Sequence, residues 1–330
     1  MVQHLFSNLY RLEIPLPRNP LKSLNSYIMT SDSRNLIIDT GFNMPECLEA
    51  MHSGIKELGI DMSKTDVLST HVHHDHNGSI PQIISETSKV YMGRIDREIF
   101  IQLMTDADFY WVTAETKFQE EGYPSDELAK TRLSNPARKY RPSGSFDILP
   151  LDDGDLISCG DLNWEVILTP GHTPGHICLY EQNHKILITG DHLLFDITPN
   201  ITWSMKLDDS LNSYLASLKR ISALEVRTAL SAHRSNNGSF AERIRELQEH
   251  HAERLQDVLD IVQKNPNISG YDIASKMTWS IRSSWADFPP GQRWFAVGEA
   301  ISHIEHLVIL GKLQRHNAGG INTYTISNII

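Results

Sequence analysis

The sequence predicts an α/β protein with a smaller helical domain at its C-terminal end, and three observations support this prediction. Short apolar runs that end in Gly, Asp or His recur through the first part of the chain and are typical of buried strands. Stretches with apolar residues three and four positions apart separate these runs and indicate helices that pack on a sheet. After Gly238 the strands give way to long amphipathic segments. We therefore place a domain boundary near Ser239, between domains 1–238 and 239–330.

The first strands lead to a histidine-rich segment. YRLEIPL, SYIMT and NLIIDTG are short apolar runs, and the last of them ends at Gly41. ECLEAMHSGIKELG has the apolar spacing of a helix, and Gly59 is a suitable end because glycine adopts the left-handed conformation freely. DVLST is the next strand and runs directly into His71. A short helix, IPQIISET, and a strand, KVYMG, follow.

The segment 94–146 interrupts the strands with helical patterns, and we interpret it as an insertion. It is rich in aromatic residues, among them Phe109, Tyr110 and Trp111. Such side chains either pack against a core or belong to a lid that covers a pocket. The sequence leaves both interpretations open.

Strand patterns return at LNWEVILTP, HICLYEQ, KILITGD and RTALSAH, with the helix DSLNSYLASLKRISAL before the last of them. The tail begins with one long amphipathic helix, FAERIRELQEHHAERLQDVLDIVQK, followed by two more helices and a hairpin around Gly319. That order is typical of a winged helix. Within the long helix, His250 and His251 are interpreted as solvated, and Leu255 and Val258 belong to an apolar face that could hold a homodimer together.

The charge distribution bears on the class of partner. The formal net charge is -11. From Ser239 onward the chain has 9 Lys and Arg against 10 Asp and Glu, a net of -1, so the remainder carries -10. A nucleic-acid reader usually carries a positive excess, so we favour a small-molecule substrate over nucleic acid. Three cysteines without paired spacing, no signal peptide and no apolar run of membrane length predict a cytoplasmic protein without a membrane partner.

The segment HVHHDH, residues 71–76, is dense in metal-binding side chains. His71 and His73 are two positions apart at a strand end, so both imidazoles can reach the same ion. Asp75 and His76 can turn toward a second point. Two alternatives remain: a chance cluster of exposed histidines, or a site for one ion.

Further donors follow later strands. GHTPGH places His172 in a tight turn, TGD places Asp191 directly after KILI, and SAH places His233 at the end of RTAL. Loops at strand ends are where sites on α/β scaffolds gather. We therefore expect these side chains to lie near the first group. Asp39 in LIIDTG is either an acceptor for a ligand imidazole N–H or a turn aspartate.

The ordered set LIIDTG, HVHHDH, GHTPGH, TGD and SAH resembles the metallo-β-lactamase superfamily over residues 8–238. The resemblance implies a four-layer αββα sandwich, here followed by a winged-helix-like α+β domain. It implies that His71, His73 and His172 bind one divalent ion, that Asp75, His76 and His233 bind a second, and that Asp191 bridges both. Zinc is favoured, and iron and manganese also suit nitrogen and oxygen donors.

The resemblance also implies hydrolysis by a hydroxide that bridges the two ions, with Asp75 orienting it. The context of GHTPGH and TGD resembles the glyoxalase II-type branch, so a thioester or related small ester is the expected substrate and a hydroxyacylglutathione hydrolase-like activity the reference. The alternative is a metal-dependent endoribonuclease or phosphodiesterase acting on single-stranded nucleic acid. His74 has no counterpart among the implied ligands.

Overall fold

The computed structural model describes residues 1–134, 136–144, 146–281 and 283–327. Within these ranges the first sheet has seven strands in chain order. They are β1 (Val2–Phe6), β2 (Leu9–Pro15), β3 (Ser23–Met29), β4 (Asn35–Ile38), β5 (Thr65–Ser69), β6 (Val90–Gly93) and β7 (Leu149–Leu151). The first four strands pair antiparallel and β4 to β7 pair parallel. The histidine-rich segment after β5 therefore leaves the sheet between two neighbouring strands, β4 and β6.

The second sheet of the described chain has the order β12-β11-β10-β9-β8. Its strands are β8 (Leu156–Cys159), β9 (Leu162–Leu168), β10 (Ile177–Glu181), β11 (Ile186–Gly190) and β12 (Thr228–Ser231). Only β11 and β12 pair parallel. Tyr27 and Ile38 from the first sheet and Trp164 and Ile188 from the second belong to the same buried cluster. The two sheets therefore pack face to face through a continuous apolar layer.

Helices cover the outer face of each sheet. The α-helices described within the first 238 residues are α1 (Pro45–Glu57), α2 (His74–Asn77), α3 (Ile80–Ile83), α4 (Arg94–Thr105), α5 (Ala107–Glu120), α6 (Ser125–Ser134), α7 (Pro136–Lys139) and α8 (Ser210–Ser222). Met51 of α1 and Phe100 of α4 lie in a core cluster with Ile37 of the first sheet. Tyr214 of α8 lies in another with Cys178 of the second. The layers are α, β, β, α, which confirms the predicted sandwich.

The C-terminal part comprises α9 (Phe240–Lys264), α10 (Gly270–Lys276), α11 (Pro290–Ile309) and a small sheet of β13 (Ile268–Ser269), β14 (Leu313–Ala318) and β15 (Ile321–Ile326). The predicted long helix coincides with α9, whose N-terminus is capped by Ser239. The hairpin is confirmed as β14 and β15. The winged-helix comparison and the division into two domains stay predictions.

Two interpretations of α9 need correction. His251 is fully buried and its Nδ1 lies 3.1 Å from Nε2 of His303, because α11 packs over it. The apolar face that was assigned to a dimer packs inside the chain, where Val258 is fully buried with Ile301. A homodimer stays a prediction and would need another surface.

The insertion contributes to the C-terminal core. Phe118 of α5 stacks on Trp294 of α11, with ring centroids 3.8 Å apart and planes 6° from parallel. Tyr123 lies in the same buried cluster. These aromatic residues therefore pack in a core, and whether the rest of 94–146 forms a lid stays a prediction. Across the described ranges, no helix is both long enough and apolar enough to span a bilayer.

Candidate metal centre

The seven predicted ligands come from segments that follow β5, β9, β11 and β12, and the structure brings them together. Asp75 and His76 lie on the short helix α2 rather than in the expected loop. Their donor atoms form three overlapping groups, one of which joins His71 and His76 to Asp191. We call His71, His73 and His172 the first cluster, and Asp75, His76 and His233 the second cluster. Asp191 lies between the two. Of these seven side chains, only those of His73 and His172 are more than slightly exposed to solvent.

Three nitrogen atoms converge in the first cluster. Nδ1 of His73 lies 3.0 Å from Nε2 of His71 and 3.0 Å from Nε2 of His172. Burial lowers the pKa of His71 and of His73 well below the ordinary value, and burial also lowers the pKa of His172. All three imidazoles are therefore held in the neutral form, which is the form that binds metal ions.

Hydrogen bonds fix which nitrogen faces the centre. Nδ1 of His172 lies 2.9 Å from the carbonyl oxygen of Asn200, an atom that can only accept, so Nδ1 carries the proton. Nδ1 of His71 lies 3.1 Å from Oγ1 of Thr70, whose own hydrogen goes to Asp39. The Nε2 lone pairs of both residues consequently point at Nδ1 of His73.

The second cluster is ordered in the same way. Nδ1 of His76 donates to Oδ2 of Asp39 at 2.8 Å, and Nδ1 of His233 donates to the carbonyl oxygen of Ser23 at 2.8 Å. Nε2 of His233 lies 3.5 Å from Oδ2 of Asp75. Burial acts against a charged imidazole, but the carboxylates of Asp39 and Asp191 hold the pKa of His76 well above its ordinary value. The second cluster therefore attracts positive charge.

Asp191 faces both clusters, one carboxylate oxygen to each. Its Oδ1 lies 3.3 Å from Nε2 of His233 and 3.6 Å from Nε2 of His76, and its Oδ2 lies 3.6 Å from Nε2 of His172. Burial alone would raise the pKa of Asp191, but the adjacent imidazoles of His233 and His76 hold it well below its usual range. An ionised carboxylate thus spans the two groups.

The residues fit divalent metal ions. In the first cluster two lone pairs face one nitrogen of His73, and a single N–H there satisfies only one of them, whereas a cation satisfies all three donors. At the second cluster, Nε2 of His76, Nε2 of His233 and the adjacent Oδ1 of Asp191 are buried without a hydrogen-bond partner. Buried polar atoms rarely stay unpaired, and these three converge on one point.

Asp39 holds the two clusters in place from behind. It has a positive φ of 59°, which aspartate tolerates better than most residues, and it is buried. Besides His76, its carboxylate accepts hydrogen bonds from the backbone N–H of Thr70 at 2.8 Å and from Oγ1 of Thr70 at 2.9 Å. Of the two interpretations from the sequence, the acceptor for a ligand imidazole matches this geometry.

His74 points away from both clusters. Its Nδ1 lies 3.1 Å from Oδ1 of Asn77, and its ring packs edge-on against Phe100 at 6.4 Å between centroids. It is buried, so its side chain fills space in the core rather than facing the centre.

The sequence interpretation missed Asp96 of α4. The carboxylate is fully buried and accepts hydrogen bonds from the N–H of Val72 at 2.9 Å, Oγ1 of Thr173 at 2.5 Å and the N–H of Gly175 at 2.5 Å. It therefore ties the loop of His71 and His73 to the loop of His172. A lone aspartate in a helical pattern gave no sequence signal.

His176, the second histidine of GHTPGH, was also missed as a supporting residue. Its Nε2 accepts the backbone N–H of Asp191 at 3.1 Å, and its Nδ1 lies 2.8 Å from Oγ1 of Thr169. Burial lowers the pKa of His176 well below the ordinary value. A neutral imidazole thus fixes the backbone of Asp191, and the repeated histidine in the motif was the available signal.

The fold and these clusters define an αββα sandwich with a candidate dinuclear metal centre. The family model described as the metallo-beta-lactamase superfamily matches residues 20–233. The chain therefore belongs to the metallo-beta-lactamase superfamily.

Curated relatives match parts of the chain. The human acyl-coenzyme A thioesterase MBLAC2 is 30% identical over 174 residues, which cover 51% of this chain and 57% of that protein. The lactamase-like protein aptB of Emericella nidulans is 23% identical over 246 residues, 74% of this chain and 62% of that protein. The chain thus spans about three fifths of the length of these relatives.

Solved structures share the fold over nearly the whole chain. The metallo-beta-lactamase family protein TTHA1429 from Thermus thermophilus superposes with a TM-score of 0.81 and 24% identity, covering 98% of this chain and 100% of that chain. A beta-lactamase domain protein from Burkholderia ambifaria gives a TM-score of 0.82 and 22% identity, covering 99% and 93%. The shared fold includes the C-terminal part.

Proposed function

We propose that this protein is a hydrolase that uses two divalent metal ions to cleave a thioester or a related small ester. The observation that carries the proposal is the Asp191 carboxylate, which presents one oxygen to each cluster. A carboxylate in that position suits two adjacent cations, and two adjacent cations are used in many hydrolytic sites.

The side chains have distinct parts in this proposal. His71, His73 and His172 would hold one ion, Asp75, His76 and His233 the other, and Asp191 both. A divalent ion held by such donors lowers the pKa of water that it binds and polarises a carbonyl oxygen, which is the chemistry that ester hydrolysis needs. Asp75 is the proposed catalytic residue: its Oδ2 lies 3.5 Å from Nε2 of His233, and in this proposal it would orient the attacking water.

The donor set favours zinc, with iron or manganese as alternatives, because every candidate ligand is an imidazole or a carboxylate. The three cysteines, Cys47, Cys159 and Cys178, are all buried and lie outside both clusters. Burial raises the pKa of the Cys178 thiol to about 12, so it remains protonated and is unsuited to bind metal.

The substrate class rests on two supports. The part of the human thioesterase that matches this chain includes over half of that protein. We therefore propose thioester cleavage for this chain as well. The charge balance of the chain, with a formal net charge of -11, is that of an enzyme for a small molecule rather than of a nucleic-acid reader.

The test is a substrate panel on purified protein loaded separately with zinc, iron and manganese. Acyl-coenzyme A of several chain lengths, hydroxyacylglutathione, a nitrophenyl ester and single-stranded RNA are compared. Thiol released from the thioesters is measured with a chromogenic disulfide, nitrophenolate by its absorbance and RNA cleavage by gel electrophoresis. We expect metal-dependent release of thiol from at least one thioester. The matched control is Asp75→Asn, which keeps the shape of the side chain and should lose turnover.

Two results would contradict the proposal. One is an absence of hydrolysis of every thioester and ester by all metal-loaded forms. The other is cleavage of single-stranded RNA alone, which would assign the centre to phosphodiester chemistry instead.

A further inference from the structure

The C-terminal helix α11 reaches the metal centre through the segment 200–203, and this contact is the basis of the inference. The first cluster depends on the tautomer of His172, because only Nε2 of that ring faces His73 and Asp191. The proton on Nδ1 is held by the carbonyl oxygen of Asn200 at 2.9 Å. The position of this carbonyl therefore decides how the imidazole is oriented.

The side chain of Asn200 is anchored on α11. Its Nδ2 donates to Oε2 of Glu299 at 3.2 Å and to the carbonyl oxygen of Phe295 at 3.3 Å. Glu299 is buried, with 8% of its surface exposed. The carboxylate is held on its other side by Nε of Arg254, which donates to Oε1 at 3.1 Å.

The residues after Asn200 are bound to the same helix. The carbonyl oxygen of Ile201 accepts a hydrogen bond from Oγ of Ser302 at 2.6 Å, and the N–H of Trp203 donates to the carbonyl oxygen of Gly298 at 3.3 Å. A Cβ on Gly298 would lie 2.2 Å from Oγ1 of Thr202, so glycine is needed for this close approach. The segment therefore lies directly on α11.

A buried carboxylate at this place is costly unless it is paired. Burial by itself would raise the pKa of Glu299, but the imidazole of His250, whose Nε2 lies 3.9 Å from Oε1, together with the imidazole of His303 and the guanidinium of Arg254, lowers it to about 2. Arg254 is fixed in turn by the carbonyl oxygen of Thr278 and by the ring of Trp279, 4.0 Å from its guanidinium carbon. Several neighbours therefore hold the ionised Glu299, and its Oε2 accepts the hydrogen bond from Asn200.

We propose that Glu299 is a positioning residue for the metal ligand His172, acting through Asn200, so that the C-terminal part of the chain sets the geometry of the first cluster. The inference rests on the proposed function only in taking the first cluster as a metal site. It assigns to the C-terminal helices a role in the metal centre, although these helices lie outside the segments that bear the sequence motifs.

The experiment compares Glu299→Gln with Glu305→Gln in the full-length protein. Glu305 is on the same helix and also forms an ion pair, with Nζ of Lys117 at 2.6 Å, but that pair does not involve Asn200. Asn200→Ala is the third variant, because it removes the amide and keeps the carbonyl. Each chain is loaded with cobalt(II), and the affinity for the metal is measured by competition with a chelator.

The first expected result is that Glu299→Gln and Asn200→Ala weaken cobalt binding about tenfold, as is usual when a partner of a ligand is lost, while Glu305→Gln binds as the wild type does. The second is spectroscopic. The exchangeable N–H proton of His172, shifted by cobalt(II) in the proton NMR spectrum, should exchange with solvent faster in Glu299→Gln and Asn200→Ala than in Glu305→Gln.

The outcomes separate the two proposals. If the wild-type protein binds no cobalt, both the proposed function and this inference are wrong. If the wild type binds cobalt and Glu299→Gln binds it equally well with an unchanged N–H signal, this inference alone is overturned. Equal weakening in Glu299→Gln and Glu305→Gln would also overturn it, since that result would reflect a general loss of stability.

Discussion

Asp96→Asn should make the stability of the protein less dependent on pH. The wild-type carboxylate accepts three hydrogen bonds from the segments that carry His71 and His172, and no cation is among the groups that shift its pKa. Burial raises the pKa of the Asp96 carboxyl from 3.8 to about 6. The folded chain therefore takes up a proton at this carboxyl at a higher pH than the unfolded chain does.

The sign of the pH dependence follows from that uptake. The contribution of Asp96 to the free energy of unfolding is fully present below the unfolded pKa of 3.8 and is lost as the pH rises through about 6. An asparagine has no such dependence. Since one pKa unit corresponds to about 1.4 kcal/mol, we expect the wild type to gain about 2 kcal/mol over Asp96→Asn between pH 7 and pH 4.5.

At pH 7 two effects of the substitution oppose each other. The amide no longer carries a buried charge, but its NH2 group faces the N–H of Gly175 or of Val72, and an unpaired buried donor costs about 1–3 kcal/mol. We therefore expect the free energy of unfolding at pH 7 to differ from the wild type by no more than about 2 kcal/mol.

The assay is urea unfolding of chelator-treated protein, followed by circular dichroism at a series of pH values. Groups that titrate equally in both chains cancel in the difference between wild type and variant. Asp61→Asn is the control: hydrogen bonds from Ser63 lower the pKa of this exposed carboxyl, so its difference should have the opposite sign. A difference for Asp96→Asn that does not change with pH would refute the reasoning.

Three further predictions concern the centre itself. His74→Ala should retain nearly the metal content of the wild type and Asp75→Ala should lose one of two ions, so elemental analysis that finds equal losses would show that the ligands are wrongly assigned. Asp39→Ala removes the acceptor of a ligand imidazole N–H and should weaken metal binding about 10–100-fold in a chelator competition; unchanged affinity would contradict this role. Gly175→Ala would place a Cβ 2.2 Å from the backbone nitrogen of Asp96. The melting temperature should therefore fall by an amount that corresponds to at least about 1–3 kcal/mol. An unchanged melting temperature would show that the loop of His172 can move away from α4.

The parts of the fold and centre that could be predicted from the sequence are those carried by side chains at strand ends. HVHHDH, GHTPGH, TGD and SAH follow apolar runs, and the structure brings together the residues that they supply. The partners of the imidazoles were hidden because they include the carbonyl oxygens of Ser23 and Asn200, and every residue has a carbonyl.

The other differences have an equally physical cause. His251 was interpreted as solvated because charged residues surround it along α9, but the sequence does not show that α11 covers that face. Glu299 has the pattern of an ordinary helix residue, and its function depends on a segment that is about a hundred residues away in the chain.

The position of α11 also has a consequence for the order in which the protein matures during synthesis. All of the candidate ligands lie between His71 and His233, so they leave the ribosome well before Glu299 and Ser302. The hydrogen bonds that hold 200–203 cannot form until α11 has been translated. A nascent chain therefore carries the candidate ligands before it can make the contacts that we propose to orient His172, because those contacts form only after α11 has been translated.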